Sequence, residues 1–334
     1  MMLAWIGVER LPKVRHLFQL ALILAPKLLW RYIRNVEFRT LYQRMILDSR
    51  NADALRRMMI NGSSIKGRLE AVTAFTLPGT MEVLASVVDS NHAEALRKEV
   101  ERHTQNYQQS PVTRAFQGWY VADSVNLDVD MHGIRRLEFY RLRTRADQTE
   151  LAYQLYQERF VRSLKRLGDF PPSFARALAG ALVEMTDNVV QHSEAEPVTE
   201  FTGLAGYHVD QRYMCFAVID VGQGVLASLR RSAAWKHIQT AERALRAAVC
   251  DYASSRPGEP HGDGFRTLFR NLADRNCRLR FRSGNAVLTV EDLGAQREGV
   301  FGTSPPLNGL QLSVCCSLAG KAEEQSILSV DSLI

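Results

Sequence analysis

Cysteines are few in this chain, and their spacing excludes two classes of stabilised fold. Only five of the 334 residues are cysteine, an odd number, and no two have the Cys-x-x-Cys spacing. The sequence therefore predicts neither structural zinc nor a disulfide framework, and this usage is typical of a reducing cytoplasm. A cysteine in a predicted strand is expected to act as a small buried hydrophobe. The five are Cys215, Cys250, Cys277, Cys315 and Cys316.

Long apolar runs, internal repeats and low-complexity tracts are missing as well. The most apolar window, residues 17–30, is shorter than the ~20 residues that cross a bilayer, and Gln19, Pro26 and Lys27 interrupt it. It also lacks the small-residue cleavage pattern of a signal peptide. With 46% hydrophobic and 23% charged residues, we expect a cytoplasmic protein that is large enough for two domains.

The basic excess of the chain is concentrated in residues 1–50. This segment holds nine Lys and Arg against three Asp and Glu, an excess of six that equals the formal net charge of the whole chain, +6. We favour a helix packed on its own domain with its arginines in solvent, and the alternatives are an anionic membrane surface or a protein partner. No nucleic-acid reader motif accompanies the charge, so nucleic acid is not expected to bind. We expect residues 1–125 to form a mostly helical regulatory or partner-binding region.

Three polar residues recur every four positions in the segment that follows Pro171-Pro172. On a helix with Ser173 as its N-cap, Glu184, Asn188 and His192 would lie along one stripe. A solvated helix face is the alternative interpretation. An apolar stripe lies about a quarter turn away, so the helix can pack a core and present a site together. The apolar stripe is Phe174, Leu178, Leu182, Met185 and Val189.

Two glycine motifs follow this helix. The apolar run of residues 213–219 predicts a buried strand, and Asp220 comes directly after it, with Gly222 and Gly224 next. A strand-end carboxylate can accept a hydrogen bond from a ligand amino group while the glycines let the backbone approach the ring. An ordinary strand-to-loop turn is the alternative.

The second glycine motif is Gly262-Asp263-Gly264, which precedes Phe265 and an amphipathic pattern. Backbone N–H groups at a helix N-terminus form an anion site that suits a triphosphate. The alternative is a pair of glycines that cap a surface loop.

In this order the three segments resemble the N, G1 and G2 boxes of the GHKL ATPases, the histidine-kinase-like or Bergerat-fold superfamily. This superfamily includes type II topoisomerases, a heat-shock chaperone class, sensor histidine kinases and mismatch-repair ATPases. The resemblance covers roughly residues 130 to 320. It implies an α+β domain at residues 126–334, in which helices cover a mixed, mainly antiparallel sheet as a two-layer α/β sandwich.

The resemblance also implies ATP and Mg²⁺ as ligands and a role for each matching residue. By this analogy Asn188 gives an amide oxygen to Mg²⁺, and Glu184 is the general base that activates water. His192 falls near the phosphates, and Asp220 accepts from the adenine amino group. The glycine motifs approach the nucleotide at Gly222, Gly224, Gly262, Gly264 and Phe265.

The sequence departs from the family pattern near the end of the domain. Relatives often carry a threonine after a glycine there, whereas Leu310 follows Gly309 in this chain. The resemblance therefore does not extend to the phosphate or adenine contact that the threonine hydroxyl makes in relatives. In the family, the segment between Gly224 and Gly262 is a lid over ATP. We expect a helix at residues 241–249 within it. Arg256 or His261 is a candidate contact of the terminal phosphate when the lid closes, although base rates favour an arginine in solvent.

Three reactions stay open from the sequence. We favour a regulatory ATPase whose lid closure on ATP switches the interaction with an unidentified protein partner. One alternative is a protein kinase of the anti-sigma-factor or histidine-kinase type, although His92, His103 and His132 lie in no recognisable helix pair. The other alternative is an ATP-sensing module without hydrolysis. Many relatives are dimers, and no homodimer interface can be recognised in the sequence.

The remaining elements are predicted from local patterns. We expect a strand at residues 136–140 and a hairpin at residues 279–290, with its turn at Ser283-Gly284-Asn285. Residues 310–314 are expected to be the last strand. A capping box at residues 147–150 precedes a helix that ends at Gly168. The apolar residues of that helix are Leu151, Leu155, Phe160, Leu164 and Leu167.

Overall fold

A computed structural model of the chain describes six α-helices and nine β-strands. The chain divides into two compact units, Met1–Met45 and Ile46–Ile334, and all six helices and the main sheet belong to the second unit. The structure describes residues 45–47, 49–63, 72–88, 98, 127–131, 135–142, 151–168, 170–192, 203–211, 213–251, 253, 277–290, 299–317 and 328–329.

The helices of these ranges are numbered in chain order. They are α1 Ser49–Ile60, α2 Leu77–Val88, α3 Leu151–Arg166, α4 Pro172–His192, α5 Gly224–Arg230 and α6 Ala241–Cys250. No helix among the described residues is long and apolar enough to span a membrane. The apolar window at residues 17–30 lies outside the described ranges.

The strands form two sheets. A small sheet has the order β1-β2-β9, and the main sheet has six strands in the order β3-β4-β5-β6-β8-β7. Every neighbouring pair in the main sheet is antiparallel, so the expected mixed sheet is wholly antiparallel here. The strands are β1 Met45–Leu47, β2 Val72–Phe75, β3 Leu127–Met131, β4 Arg135–Leu142, β5 Gly203–Val209, β6 Tyr213–Asp220, β7 Cys277–Val290, β8 Val300–Ser317 and β9 Leu328–Ser329.

Helices lie against both faces of the main sheet. Since side chains alternate along a strand, neighbouring residues of β6 meet different layers. Phe216 and Val218 pack in the core shared with α3, α4 and α6, whereas Ala217 and Ile219 line a small cavity with Met81 of α2. The α+β class is therefore correct. The helices α1 and α2 come from the region before residue 125, and the domain boundary at residues 125 and 126 stays a prediction.

The predicted helix after residue 150 exists as α3, but its buried face differs from the prediction. Leu151 and Leu155 are 69% and 40% exposed, whereas Tyr153 and Tyr156 are buried together with the predicted Phe160 and Leu164. The Tyr153 and Tyr156 rings contact Tyr140 of β4 at centroid distances of 5.1 and 5.4 Å. Aromatic rings bury more area than leucine and pack favourably as tilted pairs, so the tyrosines take the core positions. The capping box lies outside the described ranges.

A buried carboxylate fixes α3 on the sheet. Glu138 of β4 is fully buried, and Arg159 of α3 donates to it from Nε over 2.9 Å as well as from Nη2. The Tyr207 hydroxyl of β5 donates to the same carboxylate. A charge removed from water needs such partners, because an unpaired buried carboxylate would destabilise the fold.

The start of α4 differs from the prediction by a small step. The helix begins at Pro172, and the carbonyl of Pro171 already accepts a hydrogen bond from the Ala175 amide over 2.9 Å. Proline suits the first helical position because its ring fixes φ and its missing N–H would have no partner there. The predicted N-cap, Ser173, therefore lies within the first turn.

The hairpin predicted at residues 279–290 is wrong. Both halves of this segment belong to one strand, β7, which pairs along its length with β8 and shows register shifts on both sides of Gly284. Turn-forming residues also occur at irregularities of a paired strand, and here the pairing with β8 continues beyond Gly284. Residues 310–314 lie in β8 as predicted, but the short β9 follows them.

The prediction of no disulfide framework meets one exception. Cys277 and Cys316 form a disulfide between β7 and β8, 39 residues apart in sequence. They are direct cross-strand neighbours in the sheet. Spacing in sequence does not reveal such a pair, because the two strands meet only when the sheet forms. Cys215, Cys250 and Cys315 are not part of a disulfide.

Candidate functional site

The helix that carries the first polar motif has the predicted amphipathic arrangement. All five residues of the apolar stripe are buried in the main core, from Phe174 to Val189. Glu184 and Asn188 are partly buried. His192 is the last residue of α4, and its side chain lies outside the described part of the structure. The apolar stripe of α4 is thus buried in the core, and Glu184 and Asn188 of the polar stripe lie at the edge of that buried face.

The second half of α4 lies over the strand end that carries the second motif. A Cβ added to Gly203 would approach Cγ1 of Val189 and the carbonyl oxygen of Ile219 within 2.5 Å each. Gly203 is also the cross-strand neighbour of Asp220. Asn188 directly precedes Val189. The predicted metal ligand, Asn188, and the predicted adenine contact, Asp220, therefore belong to one region of the fold.

Asp220 ends β6 in a buried position, with 2% of its surface exposed. Its Oδ1 accepts a hydrogen bond from the Gly222 amide over 2.7 Å, and the Leu310 backbone also donates to the carboxylate. Burial raises the pKa of Asp220 to about 7, and these two hydrogen bonds only partly oppose it. The carboxyl group is therefore near its midpoint of ionisation at neutral pH.

A serine that the sequence interpretation assigned to a turn joins three elements beside Asp220. The Ser283 hydroxyl of β7 donates to the Gly309 carbonyl of β8 over 2.7 Å. It accepts a hydrogen bond from the Val225 amide of α5 over 2.9 Å. A Cβ on Gly224 would stand 2.7 Å from this hydroxyl, so the start of α5 packs closely on β7 and β8.

Gly309 is the second residue that the sequence interpretation left out of the site. It has φ of 75°, and a Cβ added to it would overlap the carbonyl oxygen and Oδ1 of Asp220. An isolated glycine inside a strand pattern often marks a bulge or a close backbone approach, and that signal could have identified Gly309. Ser283 has no comparable signal.

We predict that Gly309→Ala disturbs this arrangement. A positive φ costs an alanine about 1–2 kcal/mol, and overpacking against Asp220 adds about 1–3 kcal/mol. The free energy of unfolding should therefore fall by about 2–5 kcal/mol in a denaturant titration. The matched control is Gly302→Ala in the same strand, where the added Cβ meets only Val287 at 3.6 Å. Equal stability of the two variants would contradict the close approach of Gly309 to Asp220.

The segment expected to form the lid is partly described. The predicted helix exists as α6, and Thr240 caps it by accepting from the Arg243 amide over 3.2 Å. Leu245 and Val249 pack in the main core, so α6 belongs to the body of the domain. The short helix α5 at the start of this segment was not predicted. Gly262, Gly264, Phe265, Arg256 and His261 lie outside the described ranges, and their roles stay predictions.

Among the residues that the structure describes, no group of three or more His, Cys, Asp or Glu side chains could hold a metal ion. A Mg²⁺ ion on a nucleotide does not need such a group, because phosphate oxygens and water supply most of its ligands. The partly buried amide of Asn188 fits this minimal role. Comparison with protein-family models, curated proteins and solved structures found no match.

Proposed function

We propose that this chain is a Mg-ATP-binding regulatory ATPase of the GHKL type. Residues 126–334 form the two-layer sandwich of that family in this proposal, and α1 and α2 cover its second face. One observation carries the proposal: the buried Asp220 stands at the end of β6, held by the Gly222 and Leu310 amides, beneath the half of α4 that bears Asn188. Such a buried, backbone-held carboxylate can select an amino-substituted ring.

The roles of the side chains follow from their chemistry. Asn188 would offer a neutral oxygen to Mg²⁺, which in turn neutralises charge on the phosphates. Glu184, one helical turn before Asn188, would accept the proton of the attacking water. His192 and the motif from Gly262 to Phe265 would contact the phosphates at a helix N-terminus. ATP-dependent closure of the segment after Gly224 would then change the surface that a protein partner meets.

The first test of this proposal is Asn188→Ala, measured by calorimetry with ATP and Mg²⁺. We expect the affinity to fall at least about a hundredfold, equivalent to about 2.7 kcal/mol, because an oxygen ligand of the metal is lost. The control is Gly180→Ala on the same helix, where an added Cβ meets no atom within 4 Å. Equal ATP affinity of the wild type and Asn188→Ala would refute the site assignment.

A second experiment distinguishes the reactions. Glu184→Ala should bind ATP and lose turnover, because the variant lacks the base and keeps the metal ligand. In single-turnover incubation of the wild type with γ-labelled ATP, free phosphate supports the ATPase. Label on protein would support a kinase, and intact ATP would support a sensing module.

A further inference from the structure

A row of four polar side chains crosses the main sheet on the face that α1 and α2 also cover. In register, His208 of β5 pairs with Cys215 of β6, and Cys215 pairs with Cys315 of β8. Cys315 in turn pairs with Arg278 of β7. We call these four residues the thiol row. The thiol row crosses β6 near the start of the strand, and Asp220 is at the other end of the same strand.

The two sulfur atoms of the thiol row are adjacent. The Cys215 and Cys315 Sγ atoms are 2.6 Å apart, and the two side chains belong to different strands, 100 residues apart in sequence. The Tyr213 hydroxyl, two residues from Cys215 on the same face of β6, hydrogen-bonds to both sulfurs. The rings of Tyr213 and His208 lie with their centroids 5.9 Å apart. Tyr213 therefore links the thiol pair to the imidazole of His208.

The two cysteines differ in their electrostatic surroundings. Hydrogen bonding from Cys215 lowers the pKa of Cys315, and Tyr213 and the positive charge of Arg278 lower it further, against the effect of burial. Burial raises the pKa of Cys215 well above its ordinary value. Cys315 is also the more exposed of the two, at 8% against 0%. A thiolate next to a cation is the reactive form of cysteine.

We propose that Cys315 and Cys215 form a peroxide-reactive dithiol site, with Cys315 as the nucleophile and Cys215 as the resolving thiol. The Cys315 thiolate attacks one oxygen of hydrogen peroxide, the O–O bond breaks, and hydroxide leaves and takes up a proton to become water. The Cys215 sulfur then attacks the Cys315 sulfenic acid. A second water leaves, and an S–S bond joins β6 and β8. The two thiols lose two electrons in total, and peroxide accepts them.

The sheet separates this pair from the existing disulfide. Cys316 follows Cys315 directly and therefore points to the other face, where it is buried with Cys277 in the core beneath α3 and α4. Thiol–disulfide exchange needs the attacking thiolate in line with the disulfide sulfurs, which the intervening backbone prevents. Cys250 on α6 is exposed and is the internal comparison for the reaction of a surface cysteine with peroxide.

The experiment treats the full-length protein with hydrogen peroxide under native conditions, quenches with acid, and maps the peptides without reduction. We expect a peptide that links Cys215 to the segment containing Cys315 and Cys316. Cys316→Ser should keep this link and Cys315→Ser should lose it, which identifies Cys315 as the residue bonded to Cys215. In Cys215→Ser, the sulfenic acid at Cys315 should persist and be trapped by a 1,3-dione reagent.

A milder variant keeps the proposal testable if a serine variant fails to fold. Tyr213→Phe removes one donor to the thiolate, so the rate of link formation should fall about fivefold, the equivalent of one hydrogen bond. The proposal is overturned if wild type forms no Cys215 link, if Cys315→Ser retains the link, or if Cys250 is oxidised before Cys315. ATP is absent from all these measurements, so they do not depend on the proposed function.

Discussion

Glu82→Gln is expected to lower the free energy of unfolding by about 3–5 kcal/mol, because a buried and a partly buried arginine are then left with one carboxylate and one positive charge is uncompensated. Glu82 of α2 accepts from Arg280 Nε over 3.0 Å and from Arg282 Nη1 over 2.6 Å. Asp53 of α1 lies 2.9 Å from each of the two arginines. Arg282 is only 1% exposed, so water cannot replace the lost carboxylate.

The control for this prediction is Glu242→Gln on α6. Glu242 and Arg246 are 3.9 Å apart and both 54% exposed, so their pairing is weak and the expected change is within about 0.5 kcal/mol. Both variants would be compared by denaturant titration at one pH and ionic strength. A loss below about 1 kcal/mol for Glu82→Gln would show that this ion cluster does not hold α2 to the sheet.

The stability of Asp220→Asn relative to wild type is expected to change strongly with pH. With a folded-state pKa of about 7 and an unfolded value of about 4, wild-type Asp220 binds more protons in the folded state between these values. Its contribution to stability is complete below pH ~4 and is lost as pH rises through about 7. The difference should reach the order of 4 kcal/mol at pH 8, in favour of the Asn variant.

Urea titrations of both proteins between pH 4 and pH 8 measure this difference. The comparison isolates Asp220, because all other titrating groups are shared. Parallel curves for wild type and Asp220→Asn across this range would contradict the raised pKa. Stability that depends on Asp220 falls as pH rises, whereas stability that depends on a carboxylate in an ion pair rises with pH. The difference arises because burial is the largest influence on the pKa of Asp220.

If the proposed function is correct, ATP affinity should rise with pH, whereas the contribution of Asp220 to folding stability falls. The adenine amino group donates to the ionised carboxylate, whose population grows about tenfold between pH 6 and pH 8 for a pKa of about 7. The apparent affinity should rise by the same factor. Asp220→Asn keeps an acceptor whose charge does not change, so its affinity should stay flat over this range.

The ion cluster around Glu82 and the candidate site around Asp220 each include a residue of β7, and these two residues are adjacent in sequence. Arg282 directly precedes Ser283, which holds Gly309 and α5 together. Arg282 Nη2 also donates to the Pro305 carbonyl of β8 over 3.0 Å. The helices before residue 125 are therefore connected to the strands that frame the candidate site through two adjacent residues of β7.

Local patterns predicted the elements whose neighbours in sequence decide their structure. The helices α4 and α6 agree with their predicted bounds because a periodic apolar pattern indicates both a helix and its buried face, and β6 agrees because a short continuous apolar run indicates a buried strand. On α3 the same reasoning predicted the helix correctly but only part of its buried face. Leucine and tyrosine both fit that periodicity, and only the rings of Tyr140 and Tyr207 select Tyr153 and Tyr156.

The sequence by itself determined the helices α4 and α6 and the position of Asp220 at a strand end, because these depend on contacts between residues close in the chain. Tertiary structure alone decided that Ser283 and Gly309 stand beside Asp220, that Cys277 meets Cys316, and that α2 pairs its carboxylate with arginines of β7. These contacts join residues from 26 to 200 positions apart. Register between distant strands is set by the packing of the whole sheet, which no local pattern encodes.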